Sequence, residues 1–438
     1  MRRPLPWIRA VAQSLALCAI VVGGLTSGAR AEITSTPLAN GAVVLCEDRP
    51  DAPVDVCVVA FDAWPLPWRY GPAEMHVLAA VLDALVRRAA DTSSAAGSDL
   101  SCAMDGDVLV LMGVGPRGSL SEVVRAISSV LTDKLDPIVV SDVLASLRHT
   151  TDDERSPGEL ATAVAGAAAL APVPLVAGPA DLQAVASRCA PEAVGALRST
   201  RLVGARCAAS IVCGGGSAEA VARLRDALTR LPAGGPNPEA GRLYPTGPTA
   251  PMRPSYIGTL SWVVVAYVVP GPENADASCL LALQQLLGGG NEGLLFRRLR
   301  GEMDLTYAVA TSLTWYRSVG LMTLTCACDP AQAERVAGEM CSVVEELRGG
   351  VREEDGDRAT ARARFELLMA SHRSSRVAAD RGSWVVRGLR ADLCDVWANE
   401  LGTIDADRIA SAVSQWLAKP VVVIGNPAPL SNRLTDGK

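Results

Sequence analysis

The chain has 438 residues, 49% of them hydrophobic and 20% charged, with a formal net charge of −6. That length and apolar content exclude a disordered chain and leave room for two ordinary globular domains. Positive charge is nearly all arginine, scattered without a basic run or flanking aromatics, which removes nucleic-acid binding from consideration.

From the N-terminus, MRRPLPWIRA leads into an apolar run from Val11 to Val22 and then Ala29-Arg30-Ala31, a small-x-small cleavage signal. Residues 1–31 are therefore expected to be a secretory signal peptide and the mature chain to be exported, periplasmic if the source is bacterial. A retained N-terminal membrane anchor is the alternative. A lipid anchor at Cys18 is disfavoured because Leu17, not a small residue, precedes it. Nothing later in the chain supplies about 20 consecutive apolar residues. Without Cys18 the twelve cysteines become eleven, an odd number that leaves at least one thiol without an intrachain partner. Most, such as Cys57, Cys213, Cys279 and Cys341, sit inside apolar patterns where buried, inert thiols are expected. Cys326 and Cys328 share a strand face, but a Cα separation of about 6.6 Å disfavours a bridge between them.

Leu38-Ala39-Asn40-Gly41 reads as a turn between β-type runs, with 42–47 and 54–61 following. The loop Trp64-Pro65-Leu66-Pro67-Trp68 and Gly71-Pro72 lead into a helix with Met75, Leu78, Ala79, Leu82, Leu85 and Val86 at helical spacing. Two β-type runs (99–104 and 108–114), Gly115-Pro116, and an amphipathic helix through Val123, Val124, Ile127, Val130 and Leu131 come next. Helical pattern continues over 139–148; an acidic patch at 149–154 precedes a helix starting near Pro157. After Pro172–Gly178 (PVPLVAG), a helix is expected over 182–197. A strand over 208–213 then runs into Gly214-Gly215-Gly216 and a helix over 218–228. A glycine run between strand and helix can cradle phosphate, but no Gly-Lys-Ser/Thr follows, so a plain turn is the reading.

Residues 231–254 are rich in Pro and Gly and read as a linker between domains spanning 32–230 and 255–438. Beyond it, Ser261–Val269 repeats the type of strand at 54–61. Asp329-Pro330 repeats Gly115-Pro116 ahead of a helix over 331–347, and Val421–Gly425 echoes 208–214. The shared offset of about 210 residues argues for internal duplication of one α+β unit. Helices are expected over 355–371, 376–389 and 405–417, the last with Thr403 as its N-cap. Trp384, Trp397 and Trp416 read as core.

The most specific stretch runs from Leu280 to Ser312, LLALQQLLGGGNEGLLFRRLRGEMDLTYAVATS. An apolar helix ends in Gly288-Gly289-Gly290, glycines that can close a helix in the left-handed conformation and admit close backbone approach. A second short helix carries Phe296 and Arg300, and a β-type run opens at Tyr307, so Arg300 and Tyr307 can reach one groove. Taken singly, Arg300 reads as a surface residue in a salt bridge and Tyr307 as a half-buried strand aromatic.

With its gapped LGGG…L…LR…Y pattern and with Arg300 and Tyr307 seven residues apart, this stretch resembles the second half of the pitrilysin/insulinase family of inverzincin metallopeptidases, which includes mitochondrial processing peptidase. The resemblance covers nearly the whole mature chain. It implies an α+β fold of two tandem homologous domains, each a mostly antiparallel sheet packed with helices, together forming one half of a clamshell. It also implies that Arg300 and Tyr307 hold the backbone of a peptide lying along a sheet edge, opposite a zinc from the family's other half.

In that family the helix here read as GPAEMHVLAAVL carries His-x-x-Glu-His, two zinc ligands and a general base. Laid on that pattern, Glu74 takes the first histidine's place, Val77 the glutamate's and Leu78 the second histidine's. His76 shares a stripe with Ala80, Asp83 and Arg87 away from the apolar face. Neither His149 nor His372 has a second histidine three or four residues on, so no alternative zinc helix exists. A further glutamate completes the family's metal site; Glu154 or Glu159 could occupy that place, and without the histidines both read as solvated helix-start acids.

The expected function is therefore a substrate-binding subunit without a cofactor of its own. Zinc is expected in a partner, an HxxEH-bearing homologue with which this chain forms a heterodimer acting on peptides or unfolded polypeptide. The alternative is a catalytically silent structural or peptide-binding homologue without a peptidase role.

Overall fold

The computed structural model describes residues 33–63, 72–92, 97–149, 156–171, 179–235 and 250–428. The expected signal peptide, the Trp64–Trp68 loop, Glu154, the PVPLVAG segment and most of the expected linker lie outside the described residues. No described helix is long and apolar enough to cross a membrane.

The first sheet contains β1 (Thr34–Pro37), β2 (Val43–Asp48), β3 (Val54–Asp62), β4 (Asp99–Asp105), β5 (Val108–Pro116) and β6 (Cys207–Cys213), in the spatial order β1-β2-β6-β3-β5-β4. The second contains β7 (Ser255–Ile257), β8 (Ser261–Pro270), β9 (Thr306–Trp315), β10 (Val319–Cys328) and β11 (Val421–Ala428), in the order β7-β11-β8-β10-β9. Apart from β1, the two sheets have the same topology. Each is antiparallel except for one pair, β2 with β6 and β7 with β11. In each, the central strand is mainly apolar, VDVCVVAFD in β3 and SWVVVAYVVP in β8. Such a run, in place of polar alternation, is what a strand covered on both faces requires.

One face of the first sheet packs on α1 (Pro72–Thr92), α2 (Leu120–Thr132), α3 (Pro137–His149), α5 (Pro179–Arg188), α6 (Pro191–Arg201) and α7 (Ala218–Thr229). The corresponding face of the second sheet packs on α8 (Ala277–Gly288), α9 (Ala333–Arg348), α10 (Glu353–Ser371) and α13 (Ala406–Trp416). The remaining faces are covered by exchange. Helix α4 (Pro157–Ala169), from the first half, lies on β8 and β11 through Ala161 and Ala165 against Val264, Ala266 and Val423. Helix α11 (Ser374–Val386), from the second, lies on β3 and β6 through Val377 and Ala378 against Val56, Val58 and Val212. Small residues permit both approaches: a side chain at Gly158 would meet the Trp262 ring at 2.6 Å, and one at Gly382 would meet Ala60 at 3.3 Å. Burying one valine stabilises by about 1.5–3 kcal/mol, so each exchanged helix carries a substantial share of the joint.

Charged pairs reinforce the joint. Arg387, just after α11, donates to Asp107 in the β4–β5 turn at 2.7 and 2.9 Å and to the Trp315 carbonyl at 3.0 Å. The backbone N–H of Arg317, in the β9–β10 turn, donates to the same Asp107 at 2.6 Å. Arg317 also pairs with Asp62, and Arg381 on α11 pairs with Glu47 on β2. Burial pushes the Asp107 carboxyl up from its ordinary range, against the opposing pull of Arg387 and the Arg317 N–H. The edge of the aromatic group formed by Trp315, Trp384 and α12 (Leu393–Glu400) residue Trp397 sits beside this pair, with ring centroids 5.4–5.6 Å apart.

Two local expectations change, and the helix-start reading of Glu159 holds. The helix expected over 182–197 is two helices, because Pro191 has no N–H to continue α5 and instead opens α6. Asp405, not Thr403, caps α13, accepting from the Arg408 N–H at 2.8 Å. Glu159 closes a capping box with Ser156 at the start of α4, its carboxylate taking the Ser156 N–H at 2.9 Å.

Candidate functional site

The second sheet ends at β9, which pairs with β10 and has no strand on its outer side among the described residues. Its sequence, TYAVATSLTW, is polar and small where β8 is apolar, and Tyr307, Ala308, Ala310 and Ser312 are exposed. Thr306 anchors the strand's start. Its hydroxyl, which is buried, donates to the Ala327 carbonyl at 2.7 Å and lies 2.9 Å from the Cys326 sulfur.

Ahead of β9, the short helix Leu294–Phe296 runs directly into a π-helical segment, Arg297–Glu302. The turn from that segment into the strand passes through Asp304, whose φ of +50° is the only positive value at a non-glycine residue among those described. Aspartate tolerates this conformation better than most residues. Arg300 is fixed by the same turn: its Nη1 donates to Asp304 Oδ1 at 2.5 Å and to the Thr306 carbonyl at 3.3 Å. Tyr307, the next residue, is 70% exposed, not half-buried. The stretch thus brings a partly exposed guanidinium and an exposed phenol to the opening of one unpaired strand.

The glycine run serves this strand from behind. A side chain at Gly288 would strike Thr311 Oγ1 on β9 at 2.2 Å, so helix α8 reaches β9 only because its last residue has none. Gly290 has φ +66° and turns the chain away, with Arg362 of α10 beside it. Close approach is therefore made by β9 and Arg362. Gln284, on α8, donates to the Thr311 carbonyl at 3.2 Å, satisfying one backbone group of the strand.

Helix α1 places the three other chemical positions. Val77 and Leu78 are fully buried in the core, and Glu74 forms a 3.1 Å ion pair with Arg188 on α5. His76 is half-buried on another face of the helix. Two aliphatic side chains in the core offer no donor to a metal and no base, so the zinc of an HxxEH helix does not fit here. Among the described residues, no group of three or more His, Cys, Asp or Glu is placed to hold a metal ion. His149 ends α3, and His372 follows α10, exposed.

Residues 202–362, which run from just ahead of strand β6 through the Arg300–Tyr307 stretch into α10, match the family model described as the peptidase M16 inactive domain. Over that segment the chain is similar to the peptidase M16 family. Solved structures agree on the fold. A peptidase M16 inactive domain from Pseudomonas fluorescens superposes with a TM-score of 0.78 at 16% identity, over 91% of this chain and 98% of that one. A protease from Helicobacter pylori gives 0.75 at 15% identity, over 91% of this chain and 100% of that one. No curated protein sequence matches. The expected α+β architecture is thus found, and the LGGG…LR…Y stretch lies inside the segment that matches the M16 model, in a chain whose sequence lacks HxxEH.

Sequence reasoning missed Asp304, Thr306 and Arg362. Only the spacing of Asp304 four residues after Arg300 could have suggested the first. The Thr306 and Arg362 contacts join residues distant along the chain.

Proposed function

We propose that this chain is the zinc-free, substrate-binding subunit of a two-chain metallopeptidase, paired with an HxxEH-bearing M16 homologue and acting on peptides or unfolded polypeptide. The observation that carries the reading is the placement of Arg300 and exposed Tyr307 at the mouth of β9, an edge strand without an outer strand partner among the described residues. An extended peptide added alongside such an edge gains main-chain hydrogen bonds, while Tyr307 and Arg300 supply donors to its carbonyls.

Chemistry permits this division. Zinc and general base act on one water and must share one constellation, whereas donors that hold the peptide can come from across an interface. Tyr307 is a neutral donor and Arg300 a fixed positive one, so both suit a carbonyl that gains negative charge as water adds. The test is co-expression with an HxxEH homologue from the same organism, followed by sizing and a peptidase assay. A heterodimer with raised cleavage supports the reading, and absence of association removes it.

One observation favours the second reading, a homologue without a peptidase role. Arg300 is already engaged with Asp304, as a structural surface arginine would be. Substitution at Arg300 and Tyr307 that leaves the kinetics of the pair unchanged would select that reading.

A further inference from the structure

Helix α10 borders the β9 site at two points. Asp355 in its first turn pairs with Arg297 of the π-helical segment at 3.2 Å, and Arg362, two turns on, sits against Gly290, where a side chain would meet Arg362 Nη2 at 3.2 Å. The inner face of the helix is core, through Ala359 and Ala363. Its outer face is not polar throughout. Phe365, Leu368 and Met369 are 58%, 42% and 44% exposed, and only Tyr307 and Ile138 join them as exposed large hydrophobic side chains among the described residues. Spacings of three and four residues put Arg362, Phe365 and Met369 on one stripe, with Leu368 at its flank. Arg362 and Arg364, and Arg373 just after the helix, are exposed and form no ion pair among the described residues. The exposed acids on this side, Glu366 of α10 and Glu292 of the glycine turn, are outnumbered.

The path to this stripe begins on β9. Its free backbone runs through Tyr307 to Ala310. At Thr311 helix α8 takes over: Gln284 Nε2 donates to the Thr311 carbonyl at 3.2 Å, and a Gly288 side chain would begin 2.9 Å from the Thr311 nitrogen. A peptide added along the strand must therefore lift away at Thr311, where the glycine turn lies. Gly290 is exposed two peptide units beyond Gly288, at most about 7 Å away at Cα, and it has no side chain to bar the way to Arg362.

We propose that the Arg362–Phe365–Met369 stripe of α10 is a second contact for the polypeptide held at β9, taking a segment in which acidic and apolar residues lie together. The inference rests on the substrate-binding reading above. Arg362, unpaired beside the glycine turn, is the first group such a segment meets, and Phe365 and Met369 then receive its apolar side chains. Exposed ion pairs each contribute little, so the apolar contacts supply most of the affinity while the arginines select acid over base. Phe, Met and Arg together are the composition of a contact surface. Its size points to a peptide segment and not to a second folded copy, because three partly exposed side chains offer far less than the roughly 800 Å² per partner of a stable interface. An unfolded polypeptide also exposes the apolar residues that a folded partner buries.

The experiment measures binding of dansyl-labelled peptides to the full native chain by fluorescence anisotropy. The probes share an alternating Ala-Thr core of about eight residues, a usual strand length, and carry Asp-Asp-Leu-Leu, Lys-Lys-Leu-Leu or Asp-Asp-Ser-Ser at one end or the other. The Asp-Asp-Leu-Leu probe should bind about tenfold tighter than the other two, the return on burying one apolar side chain. Arg362→Glu should reverse the preference between the acidic and basic Leu-Leu probes. Phe365→Ser combined with Met369→Ser should bring Asp-Asp-Leu-Leu down to the affinity of Asp-Asp-Ser-Ser, and Tyr307→Ala should weaken all three probes together. Equal binding of the acidic and basic probes, or a preference that survives Arg362→Glu, overturns the second contact and leaves the β9 reading standing. A preference that follows Arg362 while Tyr307→Ala changes nothing supports the α10 contact and overturns the β9 reading. If the Phe365→Ser, Met369→Ser chain changes its mass in solution at unchanged peptide affinity, the stripe is an interface between copies and the proposal is overturned.

Discussion

Arg300 donates to the carbonyl oxygen of Thr306 at 3.3 Å, which holds its guanidinium one residue from the exposed Tyr307. The same guanidinium is tied to Asp304, the one described non-glycine residue with positive φ. An arginine held at both ends of a strained turn is oriented before any peptide arrives, so replacing it should alter turnover more than stability. Arg300→Ala removes one exposed i,i+4 ion pair and should cost about 0.5 kcal/mol or less in chemical denaturation. In the complex with the zinc-bearing partner it should lower kcat/KM by about 100-fold, the loss associated with one donor to a developing oxyanion.

Asp304→Gly separates the turn from the tether. Glycine adopts φ +50° without strain, so folding should be unharmed while Arg300 loses its carboxylate partner. Asp304→Val should keep neither, with a melting temperature below that of Asp304→Gly.

Gly288→Ala tests the contact between α8 and β9. The added methyl would sit 2.2 Å from Thr311 Oγ1 and 2.9 Å from the Thr311 backbone nitrogen, where a rotamer change alone gives no relief. Overpacking of this kind typically costs about 1–3 kcal/mol, which a urea titration resolves. Hydrogen exchange at β9 should rise more than at β3.

Arg387→Met probes the joint between the halves. Removing the guanidinium leaves the Asp107 carboxylate buried with only the Arg317 N–H, a loss of about 3–5 kcal/mol by equilibrium denaturation. Pairing Arg387→Met with Asp107→Asn should recover part of that loss, because the uncompensated charge is gone.

Acid stability should depend on Asp355, in the first turn of α10, which accepts from Arg352 and Arg358 and pairs with Arg297 at 3.2 Å. Burial pushes its carboxyl up, but those three arginines together hold it below the usual carboxylate range. A depressed folded-state value means the pair stabilises above the unfolded value of about 4 and that this stability is lost as pH falls through the folded value. The difference in melting temperature between wild type and Asp355→Asn should therefore be constant from pH 5 to 7 and shrink below pH 4. A difference that grows on acidification would reverse the sign assigned to Asp355.

Much of this fold could be read directly. VDVCVVAFD and SWVVVAYVVP announce doubly covered central strands, and the sheet orders around them match as the repeated strand types suggested. Arg300 and Tyr307 stood out in residue type and spacing, and both lie at the opening of β9, Arg300 through the Thr306 carbonyl and Tyr307 exposed beside it. What was hidden is what distant residues do to one another. No local pattern says that α4 and α11 exchange sheets, because Val377 and Ala378 look like any apolar helix stripe until Val56 and Val58 are beneath them. Nor does CED in β2 differ in pattern from a plain edge strand. Only the parallel register with β6 brings Cys46 and Cys213 onto one sheet face.

The central claim is that this chain grips peptide while a partner carries the metal that cuts it. The most direct measurement is hydrolysis of a quenched fluorescent peptide by the chain alone, by the HxxEH partner alone, and by an equimolar mixture, each with chelator and with zinc restored. The account predicts activity in the mixture well above that of the two chains summed, abolished by chelator, and lowered by Arg300→Ala with assembly intact. Zinc-dependent hydrolysis by this chain in isolation, or a mixture no faster than the partner alone, would contradict it.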